Sequence, residues 1–240
     1  MSLERTGMGN ADFPSTAWTM IVQAGGEGEE SLKSLETICQ LYWQPLYAFA
    51  RRSGCSREDA MDRTQGFFAK LIEGRYLDRA KREKGKLRSF LLTCFKRYIR
   101  DEWRREQAAK RGGNDKLIPL DAESLEDTLS LDGNSPERLF ERRWALAVLE
   151  AAMQRLQAEY VEKGKEEIYR ELASFLTPDA AGESYQTVAE KLGITENAVG
   201  VAIYRLRKRF AELMRRQVIA TLDSEEEVEG ELRYLMDVLR

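Results

Sequence analysis

Apolar residues recur at helical spacing along most of the chain, and no stretch alternates as a half-buried strand would. Residues 1–13 are largely polar. Ser15 or Thr16 can then cap a short helix holding Trp18, Ile21 and Val22, closed by Gly25 and Gly26. A wide stripe follows: Leu32, Leu35, Ile38, Cys39, Tyr42, Trp43, Leu46, Phe49 and Ala50. Pro45 inside it predicts a kink or a restart, because proline lacks the N–H that the helical ladder needs. Gly54 ends this helix, and Ser56 with Asp59 forms the pattern of a capping box.

The helix that Ser56 opens has an apolar face of Ala60, Met61, Thr64, Phe67, Phe68, Leu71 and Ile72. Its other face carries Asp62, Gln65, Gly66 and Lys70. Glycine inside a helix costs about 1 kcal/mol against alanine. Gly66 therefore fits either close approach by another helix or a merely solvated position. After Gly85 a further helix is predicted, with Leu87, Phe90, Leu91, Cys94, Phe95, Tyr98 and Trp103 as its apolar and aromatic positions. Most of these rings belong to a core; Tyr98 and Trp103 fit either core or surface.

The pattern stops between Gly112 and Pro136, where Gly-Gly, prolines and acidic residues predict a flexible acidic linker. Ser135 then caps a helix with Pro136 at its first position, running through Phe140, Trp144, Val148 and Leu156 to about Tyr160. Gly164 separates it from a short helix, and Pro178 and Gly182 lead onward. Ser184 caps the next helix, whose Val188, Ala189 and Leu192 share a face. Gly193 turns the chain, Ile194 is expected to plug the corner, and Thr195 caps a second helix with Val199, Ile203, Leu206 and Phe210 inward. The spacing is that of a helix-turn-helix. An acidic run after Ala220 precedes an amphipathic helix with Leu232, Leu235, Met236 and Leu239. The fold expected is all-α: two helical domains at 15–111 and 136–220, joined by an acidic linker at 112–135, with a tail at 221–240.

Charge changes this picture in two places. The chain has 240 residues, 33% of them charged, and a net charge of only −3. Its cations nevertheless cluster. Residues 75–111 are heavily basic, and the second helix of the helix-turn-helix turns basic at Arg205, Arg207, Lys208 and Arg209. Basic residues mixed with rings suit single-stranded or melted nucleic acid, where rings stack on bases and cations follow the backbone. A helix start free to enter a groove, with cations behind it, suits duplex DNA. Solvated basic faces are the alternative in both places.

Candidate chemistry is sparse. Cys39, Cys55 and Cys94 are far apart, and the chain contains no histidine. A zinc site, a disulfide framework and every histidine-based triad are thereby disfavoured. No P-loop or glycine-rich dinucleotide turn occurs, so neither an enzyme nor a cofactor or metal is expected. With no apolar run near 18 residues and no signal peptide, a cytoplasmic protein without membrane insertion is expected.

Several motifs, in order, resemble one family. Glu58-Asp59-Ala60-Met61-Asp62 followed by Gln65-Gly66-Phe67-Phe68 resembles a helix that docks on RNA polymerase. Gly85-Lys86-Leu87-Arg88-Ser89-Phe90-Leu91 resembles a G-x-F-R-x-W-L stretch, and Asp101-Glu102-Trp103-Arg104-Arg105 resembles the D-E-x-R-R that closes a promoter-melting helix. The chain is therefore similar to bacterial RNA polymerase sigma factors of the extracytoplasmic-function class.

The resemblance implies core RNA polymerase and promoter DNA as partners, and allows an anti-sigma factor as a third. It assigns polymerase contact to Asp59, Asp62, Gln65, Gly66 and Phe68. Contact with the melted minus-ten element falls to Lys86, Arg88, Lys96, Arg97, Arg100, Trp103, Arg104 and Arg105. Reading of the minus-thirty-five duplex falls to Thr195, Glu196, Asn197, Gly200, Val201, Tyr204, Arg205, Arg207 and Lys208. Two other readings fit the residues: a stand-alone helix-turn-helix regulator, and a sigma-like protein that binds polymerase without reading promoters.

Overall fold

A computed structural model describes residues 29–73, 86–110, 135–176, 184–222 and 224–240. The helix expected around Trp18, the linker 112–134, Gly85, Pro178 and Gly182 lie outside the described residues. Among those described there are eight α-helices and no strand. They are α1 (Glu29–Arg52), α2 (Arg57–Ile72), α3 (Leu87–Lys110), α4 (Pro136–Glu162), α5 (Glu166–Leu172), α6 (Tyr185–Leu192), α7 (Glu196–Ile219) and α8 (Val228–Leu239). Short 3₁₀ turns at Ala173–Leu176 and Glu225–Glu227 follow α5 and precede α8.

The local signals fix most boundaries. Ser56, Ser135, Ser184 and Thr195 each accept a hydrogen bond from the backbone N–H three residues on, satisfying one of the orphan donors of a helix start. Gly54 and Gly193 have φ of 94° and 64°, which a Cβ would oppose. The expectation at Pro45 does not hold in its stronger form. Helix α1 does not restart there but runs on to Arg52. Proline disfavours a helix interior by about 3 kcal/mol, but the buried Tyr42, Leu46 and Phe49 around it give both flanks a core to hold. Ile194 also departs from expectation: it is exposed, and Val188, Ala189 and Val199 seal the corner instead.

Helix α4 is the hub. It packs most extensively on α1, then on α7 and α8, and also touches α5. Its sequence explains this, because Phe140, Trp144, Ala145, Val148, Ala152 and Leu156 are buried while Ala147, Leu149 and Ala151 are also partly covered. Such a helix is apolar on more than one face and is covered from several sides. The buried residues form one cluster from Ile38 in α1 to Leu235 in α8. Cys55 and Cys94 are buried and Cys39 is half-buried; all three are free thiols. Among the described residues, no helix is long and apolar enough to cross a membrane, and no group of side chains could hold a metal ion.

Candidate nucleic-acid interface

Helix α3 presents its cations from a fixed platform. Phe90, Leu91, Cys94, Phe95 and Tyr98 face inward and are buried. Lys96, Arg97, Arg100, Trp103, Arg104 and Arg105, between and beyond them, are exposed. Trp103 is 53% exposed, so its ring is a surface feature, whereas Tyr98 belongs to the core. Among the described residues Arg97, Arg100 and Arg104 make no ion pair. An exposed ring among unpaired cations is the arrangement that stacks a base and tracks its backbone.

Helix α2 holds that platform in place. A Cβ built on Gly66 would lie 2.4 Å from the Tyr98 hydroxyl, so the missing side chain is what lets Tyr98 lie against α2. The Lys70 ammonium sits 4.4 Å from the Tyr98 ring centroid and bonds Glu102 at 2.7 Å. One end further along, Arg63 donates to both carboxylate oxygens of Glu106 at 3.0 and 3.1 Å. The two pairs run in opposite senses along the helices, so α2 and α3 are clamped antiparallel. The hydrogen bond from Lys70 holds the Glu102 carboxyl below its ordinary range. Sequence reading did not find this clamp. Its signal was present: two cations seven residues apart on α2, and two carboxylates four apart on α3.

The clamp makes Gly66 testable. An added methyl must displace a buried, ring-packed tyrosine, which costs about 1–3 kcal/mol, against about 1 kcal/mol gained in helix propensity. Gly66→Ala should lower stability in urea unfolding by up to about 2 kcal/mol. A more stable variant would show that Tyr98 is not held where it lies.

The other face of α2 is open. Asp59, Asp62 and Gln65 are exposed beside Met61 and Ile72, two large apolar side chains also in solvent. Met61 and Ile72 were expected inside, on the apolar stripe; they are not. Phe68 is buried, stacked on Trp43 with ring centroids 5.8 Å apart, and is part of the core and not of this surface. Gly66 is half-buried under Tyr98.

At the start of α3 the expected cations are not free. Arg88 is only 6% exposed. Its guanidinium bonds Glu231 of α8 through two nitrogens at 2.6 and 3.2 Å, bonds Glu141 of α4 at 3.3 Å, and stacks 4.3 Å from the Tyr234 ring. Lys86 reaches the same Glu231 at 2.5 Å. Lys96 bonds Glu137 of α4 at 2.6 Å. Burial would raise the Glu231 carboxyl, but the hydrogen bonds from Arg88 and Lys86 outweigh it and hold it low. In this arrangement Arg88 cannot reach a phosphate. Arg105 bonds Glu102 of its own helix.

Helices α6 and α7 are joined by a tight turn at 193–195. Thr195, Glu196, Asn197 and Val201 are exposed at the start of α7, followed by Tyr204, which is 67% exposed. Gly200 lies beneath the Tyr185 ring, and a Cβ there would meet it at an ordinary 3.7 Å. Arg205 and Lys208 are exposed. Arg207 donates to the Phe175 carbonyl at 3.0 Å, and Arg209 is held by Glu159 and Glu212.

Residues 39–109 match the family model of Sigma-70 region 2. No curated protein and no solved structure matches the chain. The region 2 match covers most of α1 and all of α2, and ends one residue before the end of α3. It therefore takes in both the clamp and the open basic side, and it supports a sigma-70 family factor with a part in promoter recognition and melting. Helices α4 to α8 lie outside it.

Proposed function

We propose that this chain is a sigma factor of the extracytoplasmic-function type, which directs core RNA polymerase to promoters and helps to open them. The observation that carries this reading is the exposed stripe of Arg97, Arg100, Trp103 and Arg104, whose cations make no ion pair among the described residues, on a helix within the region 2 match. The region 2 domain, 15–111, docks on polymerase through Asp59, Asp62 and Gln65 on the open face of α2, with Met61 and Ile72 supplying apolar contact. The residues 136–220 carry the helix-turn-helix α6–α7. In a groove-inserted helix the first turns meet base edges and later cations meet phosphates. Asn197 and Val201 then read, while Arg205 and Lys208 anchor. The factor itself is not an enzyme and acts in the cytoplasm, where its polymerase is.

Reconstitution with core polymerase tests the reading. Gln65→Arg should weaken assembly without unfolding the protein, since Gln65 is exposed. Trp103→Ala and Arg100→Ala should leave assembly intact but reduce open-complex formation on duplex promoters. Normal assembly by Gln65→Arg together with Asp62→Arg would remove this docking face. Unchanged opening by both α3 variants would remove the melting role.

A second reading has one observation in its favour. Exposed Val201 and Tyr204 make the start of α7 unusually apolar for a base-reading helix. They suit a sigma-like protein that binds polymerase without reading promoters. Asn197→Ala decides between the two. Relaxed preference at one upstream position, costing about 1–3 kcal/mol there, supports base reading; unchanged selection from a randomised element supports the alternative.

A further inference from the structure

The cations of α3 divide into two groups by position. Arg97, Arg100 and Arg104, from the middle of the helix onward, make no ion pair among the described residues. Lys86, Arg88 and Lys96, in and just before the first half, are each bonded to a carboxylate from beyond residue 135. The partners are Glu137 and Glu141 of α4 and Glu231 of α8. Glu231 meets the Arg88 guanidinium with both oxygens, the same planar fork that a phosphate would accept. Its carboxylate is 1% exposed, and Tyr234 from the same helix closes over the guanidinium. Separately, Leu87 N–H donates to the Thr221 carbonyl at 3.2 Å, which ties the start of α3 to the end of α7.

Helix α8 is lightly anchored. It has twelve residues, a length at which an isolated helix is marginal in water. Only Val228, Glu231 and Leu235 of it are buried, Leu232, Tyr234, Val238 and Leu239 are half-covered, and Met236 is 50% exposed. Elements with so few buried apolar contacts open locally well below the free energy of global unfolding. Its hold on α3 thus rests largely on the charge of Glu231.

We propose that α8 is an intramolecular cover for the start of the melting helix, with Glu231 standing where a nucleic-acid phosphate would bind Lys86 and Arg88. With α8 in place, only the Arg97–Arg104 end of α3 meets single-stranded DNA. When α8 leaves, two more cations are uncovered at the start of α3. The inference rests on the reading of α3 as a strand-binding helix.

The test uses the full-length chain and a fluorescein-labelled twelve-nucleotide single-stranded DNA, titrated at several salt concentrations. Glu231→Gln keeps the shape and removes the charge. It should bind the oligonucleotide about three- to tenfold more tightly at low salt, and the slope of log K against log salt should steepen by about 1.4, from two added phosphate contacts at about 0.7 each. Adding Arg88→Ala should reverse most of that gain. Unchanged affinity and slope in a folded Glu231→Gln protein would overturn the proposal. If that variant does not fold, hydrogen exchange of the wild-type chain decides. Faster exchange in α8 on saturation with the oligonucleotide supports a cover, and unchanged exchange there overturns it. Arg100→Ala separates the two levels of the argument. It should weaken binding whether or not Glu231 is altered, and no effect from it would show that α3 does not bind the strand at all.

Discussion

Trp144→Ala should destabilise the protein by about 3–5 kcal/mol in urea or guanidinium unfolding, the range for removing a fully buried large aromatic side chain. Trp144 is among the largest fully buried side chains of the molecule. It lies on α4, the helix that packs on α1, α7 and α8 alike, and the Arg88 guanidinium rests 5.1 Å from its ring. A loss of that size is a large share of the roughly 5–15 kcal/mol that keeps a typical domain folded. It should fall on all the packed helices together, giving one shifted transition by both fluorescence and circular dichroism. A loss under about 1 kcal/mol would mean that α4 does not bind α1 in solution as it does here.

The second large effect belongs to the buried ion pair. Glu231→Ala takes the main partner from the buried Arg88 guanidinium; breaking such a pair typically costs about 3–5 kcal/mol, and opening of α8 limits the loss by letting Arg88 reach water. Replacing both, as Arg88→Met with Glu231→Leu, should cost far less, because no charge is left stranded. If Glu231→Ala costs less than about 1 kcal/mol, the pair is not buried in solution. Acid should act on the same bonds. Glu231, Glu102, Glu137 and Glu159 are all held below their ordinary value of 4.5 by hydrogen bonds from Lys or Arg, which for Glu231 prevail against burial. Groups with lowered folded values bind more protons when unfolded, so their contribution is complete above that value and is lost as pH falls through the folded ones. With no histidine in the chain, the melting temperature should be nearly flat from about pH 6 to 7.5 and should drop steeply below about pH 4.5.

What could be read in the sequence was what is decided locally. Ser135-Pro136, Ser184, Gly193 and Thr195 each act within a turn of their own position, and the helix boundaries they set agree with the structure. Gly66 was legible by half. An interior glycine argues for a close neighbour, but nothing near it in sequence identifies that neighbour as the Tyr98 hydroxyl, 32 residues on. The bond from Arg88 to Glu231 spans 143 residues and was not legible at all. A basic run at 75–111 and an acidic stretch after Ala220 each look like solvated surface. Only packing shows that one carboxylate from the second meets the first. Met61, Ile72 and Ile194 erred for the same reason: helical spacing gives a face, but the neighbours decide how wide a face is covered.

The three thiols are spread so that they can serve as clocks. Cys39 lies on α1, Cys55 in the turn before α2, where the Arg63 guanidinium donates to its sulfur, and Cys94 on α3. Burial raises the first two above the ordinary thiol range, so they react slowly while folded. An alkylating reagent in excess would therefore modify each at the rate at which its own surroundings open. Cys39, half-covered, should be marked first. Cys55 should wait for the α1–α2 corner to loosen, and Cys94 for α3 to leave the core. A peptide map taken over hours would then rank the opening of three neighbouring pieces of the region 2 fold without a single engineered probe.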